Sequence, residues 1–230
     1  AVEKNRSGWV VKTGGGKNFE ADLVVHGAGR VAAIEDLQLE AGAVAYSRGG
    51  ITVDNTMRTS NPRVFAVGDC AATIQLARVA DYEGYVAASN IMAAVEGGQG
   101  ADIDYRAVPT ILFTYPQYAM VGATEDALKA DGVRYYKNSE KHLGWPTYKR
   151  VGLSHAAFKV LVDDGNRILG AHVISDNAAG LINTFKQAML DGRTVEELFR
   201  DNLMSPYPSR ESDIIYMLKP FFADDLLAAL

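Results

Sequence analysis

Apolar and polar positions follow two different rhythms along this chain, and the change comes near its middle. In the first half, Gly8-Trp9-Val10-Val11-Lys12-Thr13 reads as a strand, Gly14-Gly15-Gly16 as a turn, and Phe19 to Ala21 as the returning strand. Asp22-Leu23-Val24-Val25-His26-Gly27-Ala28-Gly29 reads as a buried parallel strand stopped by glycines. A further strand with turns is expected at Gly50-Ile51-Thr52-Val53-Asp54. Another apolar run, Arg63-Val64-Phe65-Ala66-Val67, ends in Gly68-Asp69. From Ile74 to about Ala94, apolar residues recur at helical spacing through Leu76, Val79, Ala80, Val86, Ala87 and Ile91. Gly97-Gly98-Gln99-Gly100 ends that helix and marks the best domain boundary.

The second half alternates shorter elements. Pro109 to Thr114 is strand-like, Thr124 to Ala130 is a short helix with Thr124 as its N-cap and Gly132 near its C-cap, and Val133 to Tyr136 is a strand. Ala157–Val162 and Ile168–Ile174 flank Asp163-Asp164-Gly165-Asn166 as a β-hairpin. Ala178 to Leu190 is an apolar helix, Thr194-Val195-Glu196-Glu197 is a capping box opening another, and a last helix is expected after Pro208, near Ser209 to Asp213. Antiparallel strands backed by helices make this part α+β. No internal repeat interrupts the pattern.

Composition narrows the functional classes. Of the 230 residues, 48% are hydrophobic and 22% charged, as in ordinary globular proteins. The net charge of -5 predicts neither a nucleic-acid nor a membrane-surface partner. No apolar run approaches the roughly 18 residues of a membrane span. The start, Ala1-Val2-Glu3-Lys4-Asn5-Arg6, carries no signal-peptide pattern and no initiator Met. Cys70 is the sole cysteine, which forbids an intrachain disulfide and leaves a cytoplasmic setting as the default expectation.

The strongest chemical signal is Thr59-Ser60-Asn61-Pro62-Arg63-Val64-Phe65-Ala66-Val67-Gly68-Asp69. A strand ending in Gly-Asp delivers a carboxylate to the sheet edge where α/β folds bind ligands. Gly68 permits close backbone approach, and Asp69 can accept hydrogen bonds from sugar-alcohol hydroxyls. The free N–H groups of a helix starting near Gln75 would suit an electron-rich ring edge or an anion. In the competing reading this is a plain strand-turn-helix in which Asp69 only caps the helix.

This segment resembles the second FAD motif of the class I pyridine nucleotide-disulfide oxidoreductases, the family of glutathione reductase, dihydrolipoamide dehydrogenase and mercuric reductase. That motif is a Thr-Ser, a Pro two residues on, an aromatic, then Ala-x-Gly-Asp. The resemblance extends along most of the chain in order. Ala21 to Val25, ending in Ala28-Gly29-Arg30, is similar to the strand closing the family's NAD(P) domain, and Leu76 to Ala80 with Glu83-Gly84 to the helix under the flavin. Pro109-Thr110, Phe113-Thr114, Val121-Gly122, Lys159 to Asp163, Ile168 to His172 and Gln187-Ala188-Met189 are similar to the dimerisation domain.

The resemblance implies an α/β fragment of an FAD/NAD(P)-binding region over residues 1–106, followed by an α+β dimerisation domain over 107–230 with an antiparallel sheet and helices. Within the first part, the end of the nicotinamide domain reaches to about Ala33. Asp69, next to Gly68, would bind the ribityl hydroxyls of FAD, and the amides of Gln75, Leu76 and Ala77 would face the pyrimidine end of the flavin ring. The family's first FAD fingerprint and its nicotinamide fingerprint are absent. Gly27-Ala28-Gly29 falls short of G-x-G-x-x-G and has no βαβ context. The cysteine pair separated by four residues is absent as well. The expectation is therefore that Ala1 falls inside the NAD(P) domain of a longer protein. That protein would use FAD and NAD(P)H and pass electrons to a small-molecule acceptor, while this fragment alone would bind no cofactor. The disulfide reductases of the family carry His-Pro-Thr and then Glu near the C-terminus, an acid–base pair reaching across a homodimer. Here Tyr207 stands at the His position and Ser212 at the Glu position, with Glu211 and Asp213 flanking. This departure resembles the soluble transhydrogenases and makes Tyr207 the candidate catalytic residue. A homodimer is expected. The rival expectation is a non-catalytic, stand-alone dimerisation module.

The remaining candidates have plain readings. Cys70 is expected to be a buried, unreactive thiol, because no basic neighbour is evident. His172 is expected to be structural, and His26, His142 and His155 are assigned no role. No histidine pair has metal-ligand spacing, so no metal site is expected. Tyr115 to Tyr118 is expected at an interface or in the core, and the apolar tail Phe221 to Leu227 to pack somewhere.

Overall fold

The computed structural model describes residues 1–222 and divides into two compact units, Ala1–Ile103 and Asp104–Leu230. The first unit opens on a three-stranded antiparallel meander: β1 (Val2–Lys4), β2 (Trp9–Lys12) and β3 (Asn18–Ala21). The predicted hairpin around Gly14-Gly15-Gly16 is present, and β1 is an addition to it. The segment from Asp22 to Gly29, expected as a buried strand, is instead extended and unpaired, with Leu23 74% and Val25 82% exposed. A strand needs a neighbour for its amides and carbonyls, and no described residue pairs with this one. No helix opens after Gly29, and the next helical residues are a single 3-10 turn at Glu35–Leu37.

A small apolar core follows, built from Ala32, Ile34, Leu39, Val44, Ile51, Ala66 and Ala71. The expected strands here are shorter than their hydropathy suggested. Only β4 (Tyr46–Ser47) pairs with β5 (Gly50–Ile51), and the run Arg63–Val67 keeps one antiparallel bridge, Arg58 to Phe65. Side-chain hydrogen bonds replace the missing ladder. Ser60 Oγ accepts from Ala45 N at 2.8 Å and donates to Ala43 O at 2.9 Å, and Asn61 Nδ2 donates to Gly42 O at 2.7 Å. The Thr-Ser-Asn stretch thus holds the strand-poor segment in place. Gly50 passes so close that a Cβ there would lie 2.6 Å from Cys70 O, which only glycine avoids.

Helix α1 runs over Ala77–Glu96, three residues later at its start than the spacing suggested. Val79, Glu83, Val86, Ala87 and Asn90 form its buried face at spacings of three and four. Asn90 Nδ2 donates to Ala101 O at 2.6 Å and Ala101 N donates to Asn90 Oδ1 at 3.2 Å, tying down the chain after the glycine-rich stop.

The second unit is a five-stranded antiparallel sheet in the order β6-β7-β10-β9-β8, comprising β6 (Thr110–Leu112), β7 (Gln117–Gly122), β8 (Tyr136–Lys141), β9 (Ala157–Val162) and β10 (Ile168–Ser175). The hairpin β9–β10 turns at the predicted Asp163 to Asn166. Phe158, Val160, Val162, Ala171, Val173, Ala119 and Val121 share one buried face, because the registers Ala171↔Val160 and Val173↔Phe158 set them side by side. Helix α4 (Ala178–Leu190) covers that face over β7 and β10, burying Leu181, Ile182, Phe185 and Ala188.

Helix α2 (Glu125–Ala130) starts at the expected N-cap, where Thr124 Oγ1 accepts from Ala127 N. Helix α5 (Val195–Asn202) has the full capping box of Thr194 and Glu197. The short helices α3 (Pro146–Lys149) and α6 (Ile214–Leu218) complete the described residues, α6 following a 3-10 turn at Glu211–Asp213 rather than a helix from Ser209. The strand expected at Val133–Tyr136 lies three residues further on, as β8. This is an edge strand, and polar residues mask it in the pattern. Phe222 packs edge-on against Phe199 at 4.9 Å between ring centroids, while the part of the apolar tail from Ala223 to Leu227 lies outside the described residues.

Candidate functional site

The Gly68-Asp69 segment folds as a 3-10 turn, Gly68–Cys70, rather than as a strand end. Gly68 adopts φ +70°, and a Cβ there would lie 3.2 Å from the Ala80 side chain on α1. Its N–H donates to Glu83 Oε2 at 2.6 Å. Glu83 is fully buried on α1, so a carboxylate from the helix grips the turn from beneath. Ala72 N donates to Ile51 O at 2.9 Å, which anchors the far side of the turn to β5.

Asp69 is left with its carboxylate half exposed. Arg30 Nη1 donates to Asp69 Oδ2 at 2.7 Å, and Arg30 Nη2 reaches Gln75 O at 3.4 Å. Both partners of this ion pair are more than half exposed, at 65% and 51% of their side chains. Such a pair is worth about 0–1 kcal/mol and opens at little cost. The plain reading of Asp69 as a helix cap is overturned. The N-cap of α1 is Leu76, and no side chain caps it.

The approach to α1 is rich in unused donors. Among the described residues, the amides of Gln75 and Ala77 have no partner within the chain. The Leu76 amide is already bonded to Ile74 O at 2.9 Å, so of the three expected donors it is the one engaged. Thr73 Oγ1 is buried without any hydrogen-bond partner. A buried orphan hydroxyl costs about 1–3 kcal/mol, which an incoming polar group would offset. Asp69 can accept from a polyol, and the amides and Thr73 can donate to electron-rich atoms.

Two residues at this site were assigned no function from the sequence. Arg30 was read only as the end of the family-like stretch Ala28-Gly29-Arg30, with no role of its own. Glu83 carried a further signal, because spacings of three and four place it on the same helix face as Val79, Val86 and Asn90. A carboxylate on an apolar stripe needs a partner.

The second candidate region lies in the other unit. Tyr207 is 69% exposed, beside Met204 at 90%. Ser212 does not face Tyr207. Its Oγ donates to Ser209 O at 2.7 Å, and its N–H donates to Ser209 Oγ at 3.2 Å, closing a local turn. Glu211 accepts from Asn177 Nδ2 at 2.7 Å. Asp213 is buried and accepts from Thr147 Oγ1, and burial pushes its carboxyl above the usual range. No carboxylate is therefore placed to pair with the Tyr207 phenol among the described residues.

The other expected features fall as follows. Cys70 is half-buried rather than buried, with Sγ 3.3 Å from Val67 O. Its place in an exposed turn, against one wall of the small core, explains the difference. His172 is half-buried between Ala123 O at 3.2 Å and Tyr118 Oη at 3.3 Å, and burial lowers its pKa, in keeping with a structural role. Tyr115 is 81% exposed. Among the described residues no group of three or more His, Cys, Asp or Glu is placed to hold a metal ion, and no helix is long and apolar enough to cross a membrane.

Residues 1–84 match the family described as pyridine nucleotide-disulphide oxidoreductase, and residues 108–214 match its dimerisation domain. An uncharacterised 19.7 kDa protein of a mercuric resistance operon in Staphylococcus aureus is 39% identical over 187 residues, which are 79% of this chain and the whole of that protein. A dihydrolipoyl dehydrogenase of Cupriavidus necator is 34% identical over 86% of this chain and 41% of its own length. A mycothione reductase of Mycobacterium tuberculosis is 33% identical over 86% of this chain and 44% of its own. The crystal structure of LpdA from Mycobacterium tuberculosis shares the fold with a TM-score of 0.81, at 24% identity, over 96% of this chain and 47% of that one. The chain thus spans less than half the length of the named reductases and dehydrogenases it matches, and both of its units belong to the pyridine nucleotide-disulphide oxidoreductase family.

Proposed function

We propose that this chain is the C-terminal half of an FAD-dependent NAD(P)H oxidoreductase, contributing part of the flavin site and the homodimer interface. Residues 1–106 then serve as the C-terminal portion of the NAD(P)- and FAD-binding region, with the nicotinamide part ending near Ala33, and residues 107–230 as the dimerisation domain. The observation that carries the reading is the Gly68–Cys70 turn, gripped by buried Glu83, which leaves the Asp69 carboxylate half exposed shortly before a stretch whose Gln75 and Ala77 amides have no partner among the described residues. These groups and the orphan Thr73 hydroxyl fit the ribityl chain and the pyrimidine edge of a flavin. Bound FAD supplies the two-electron chemistry between NAD(P)H and a small-molecule acceptor. The residues bind and orient. Asp69 turns from Arg30 to polyol hydroxyls, and the amides sit where negative charge gathers on reduction.

The residues do not supply a pyrophosphate cradle, since Gly27-Ala28-Gly29 opens no helix. A few hydrogen bonds of about 1 kcal/mol each do not offset the entropy of fixing a large cofactor. The purified chain is therefore expected to carry far less than stoichiometric flavin. Absorbance near about 450 nm, on the order of one flavin per chain, would overturn the division of the site into two halves.

A second expected result concerns assembly. The chain should sediment as a dimer through its second unit, burying upward of about 2,000 Å² as obligate two-fold interfaces do. Leu112, Phe113, Tyr115, Leu203 and Met204 leave large apolar surfaces exposed on that unit. A monomer at micromolar concentration would contradict it.

One observation favours the stand-alone module instead: the Staphylococcus aureus relative is covered over its whole length. The mass of the native protein in its source cell separates the two readings.

A further inference from the structure

The segment that carries Tyr207 is fastened to the second unit by an unusual density of polar contacts, and they converge on one side chain. Arg210 is 7% exposed. Its Nε donates to Asp176 Oδ1 at 2.6 Å and its Nη2 to Asp176 Oδ2 at 2.9 Å, a two-pronged pairing at the corner between β10 and α4. The same guanidinium lies 3.9 Å from the ring centroid of Tyr148. Tyr148 is fully buried, packs against Trp145, and donates from its hydroxyl to Ser175 Oγ at 3.3 Å. Ser175 Oγ in turn donates to Asp176 Oδ1 at 3.2 Å. The ring of contacts therefore closes on itself: arginine on aspartate, arginine on tyrosine, tyrosine through serine to the same aspartate.

We infer that Arg210 is a positioning residue, whose clamp between Asp176 and Tyr148 sets where the exposed Tyr207 phenol stands. This rests on the reading of Tyr207 as the functional group of the C-terminal segment. The chain offers little freedom between the two. Pro208 has a fixed φ, and Ser209 and Ser212 close on each other through reciprocal hydrogen bonds. Glu211 and Asp213, which follow Arg210, are held by Asn177 and Thr147. The turn from Ser209 to Asp213 is thus one small body, and among the described residues Arg210 is the cation whose ion pair pins it. Arg210 holds the Asp176 carboxyl below its usual range, so the pair stays charged through neutral pH. Lysine cannot substitute, because an ammonium cannot span both carboxylate oxygens while lying flat on an aromatic face.

The test places 3-fluorotyrosine at position 207, or at Tyr136 on β8 as a control, in the chain as it stands and in the Arg210→Lys and Asp176→Asn variants. Fluorine resonances and amide exchange are then recorded together. The expected result is a shifted or broadened signal at 207 and an unmoved signal at 136. Exchange of the Ser209, Ser212 and Asp213 amides should accelerate about tenfold or more, as in a local opening, while the β9 amides keep their protection. An unchanged signal at 207 with unchanged exchange overturns the inference. So does a uniform loosening of the whole unit, which would make Arg210 a general stabiliser. If Asp176→Asn fails to fold, Arg210→Lys, which keeps the charge and loses the fork, decides alone. Failure of the Tyr207 reading shows elsewhere, as unchanged turnover in Tyr207→Phe, and leaves these results intact.

Discussion

Tyr207→Phe is expected to lower turnover of the oxidoreductase proposed above by about 10²–10⁴-fold, the usual contribution of a general acid or base. The substitution removes one hydroxyl and keeps the ring, so packing is preserved. The phenol is well placed for such a role, being 69% exposed with no hydrogen-bond partner among the described residues. It differs from the histidine of the disulfide reductases in having no carboxylate behind it. Ser212 is spent on Ser209, and Glu211 on Asn177. With no carboxylate behind the phenol, its expected use is as a proton donor or an orienting group, with the loss falling on kcat more than on KM. Steady-state kinetics with the native acceptor decide it. Equal rates for the two proteins would reduce Tyr207 to an interface side chain.

How much of this was legible in the sequence depends on what each element leans on. Helix α4 was read to the residue, because its apolar face at Leu181, Ile182, Phe185 and Ala188 is buried against a sheet contained in the same chain. The capping box at Thr194 and Glu197 was read for the same reason, being entirely local. The segment Asp22–Gly29 misled because its apolar run is written for strand neighbours that no described residue supplies. Strand β8 misled in the opposite sense. It is an edge strand whose Lys137, Ser139 and Glu140 need no apolar character. At the candidate flavin site the sequence pointed to Gly68 and Asp69, but the ion pair with Arg30 spans 39 positions and has no local signature. The Arg210 clamp likewise joins residues 34 apart, and only the fold brings them together.

The other large effect is expected at Glu83. Its carboxylate is fully buried and accepts the Gly68 N–H at 2.6 Å, so it is a contact through which α1 holds the Gly68–Cys70 turn. Glu83→Ala leaves that amide buried and unpaired and opens a void among Val79, Val86 and Ala87. The expected loss of stability in the first unit is about 2–4 kcal/mol, combining an unsatisfied buried donor with a small cavity. Glu83→Gln should lose much less, because the amide oxygen can still accept from Gly68. The pair of variants separates the hydrogen bond from the space it fills. Denaturant unfolding followed through Trp9, in the first unit, against Trp145, in the second, would show the loss confined to the first transition. If Glu83→Ala and Glu83→Gln unfold at the same denaturant concentration as the parent, the turn is held by something other than this carboxylate. In the flavoprotein proposed above, the same substitution is expected to carry a second consequence. Gly68 reaches φ +70° without strain because it is glycine, and the bond from its N–H to Glu83 fixes it there. Releasing its N–H lets the turn relax, moves Asp69 away from Arg30, and should weaken flavin retention more in Glu83→Ala than in Glu83→Gln, as read by the flavin lost on dialysis.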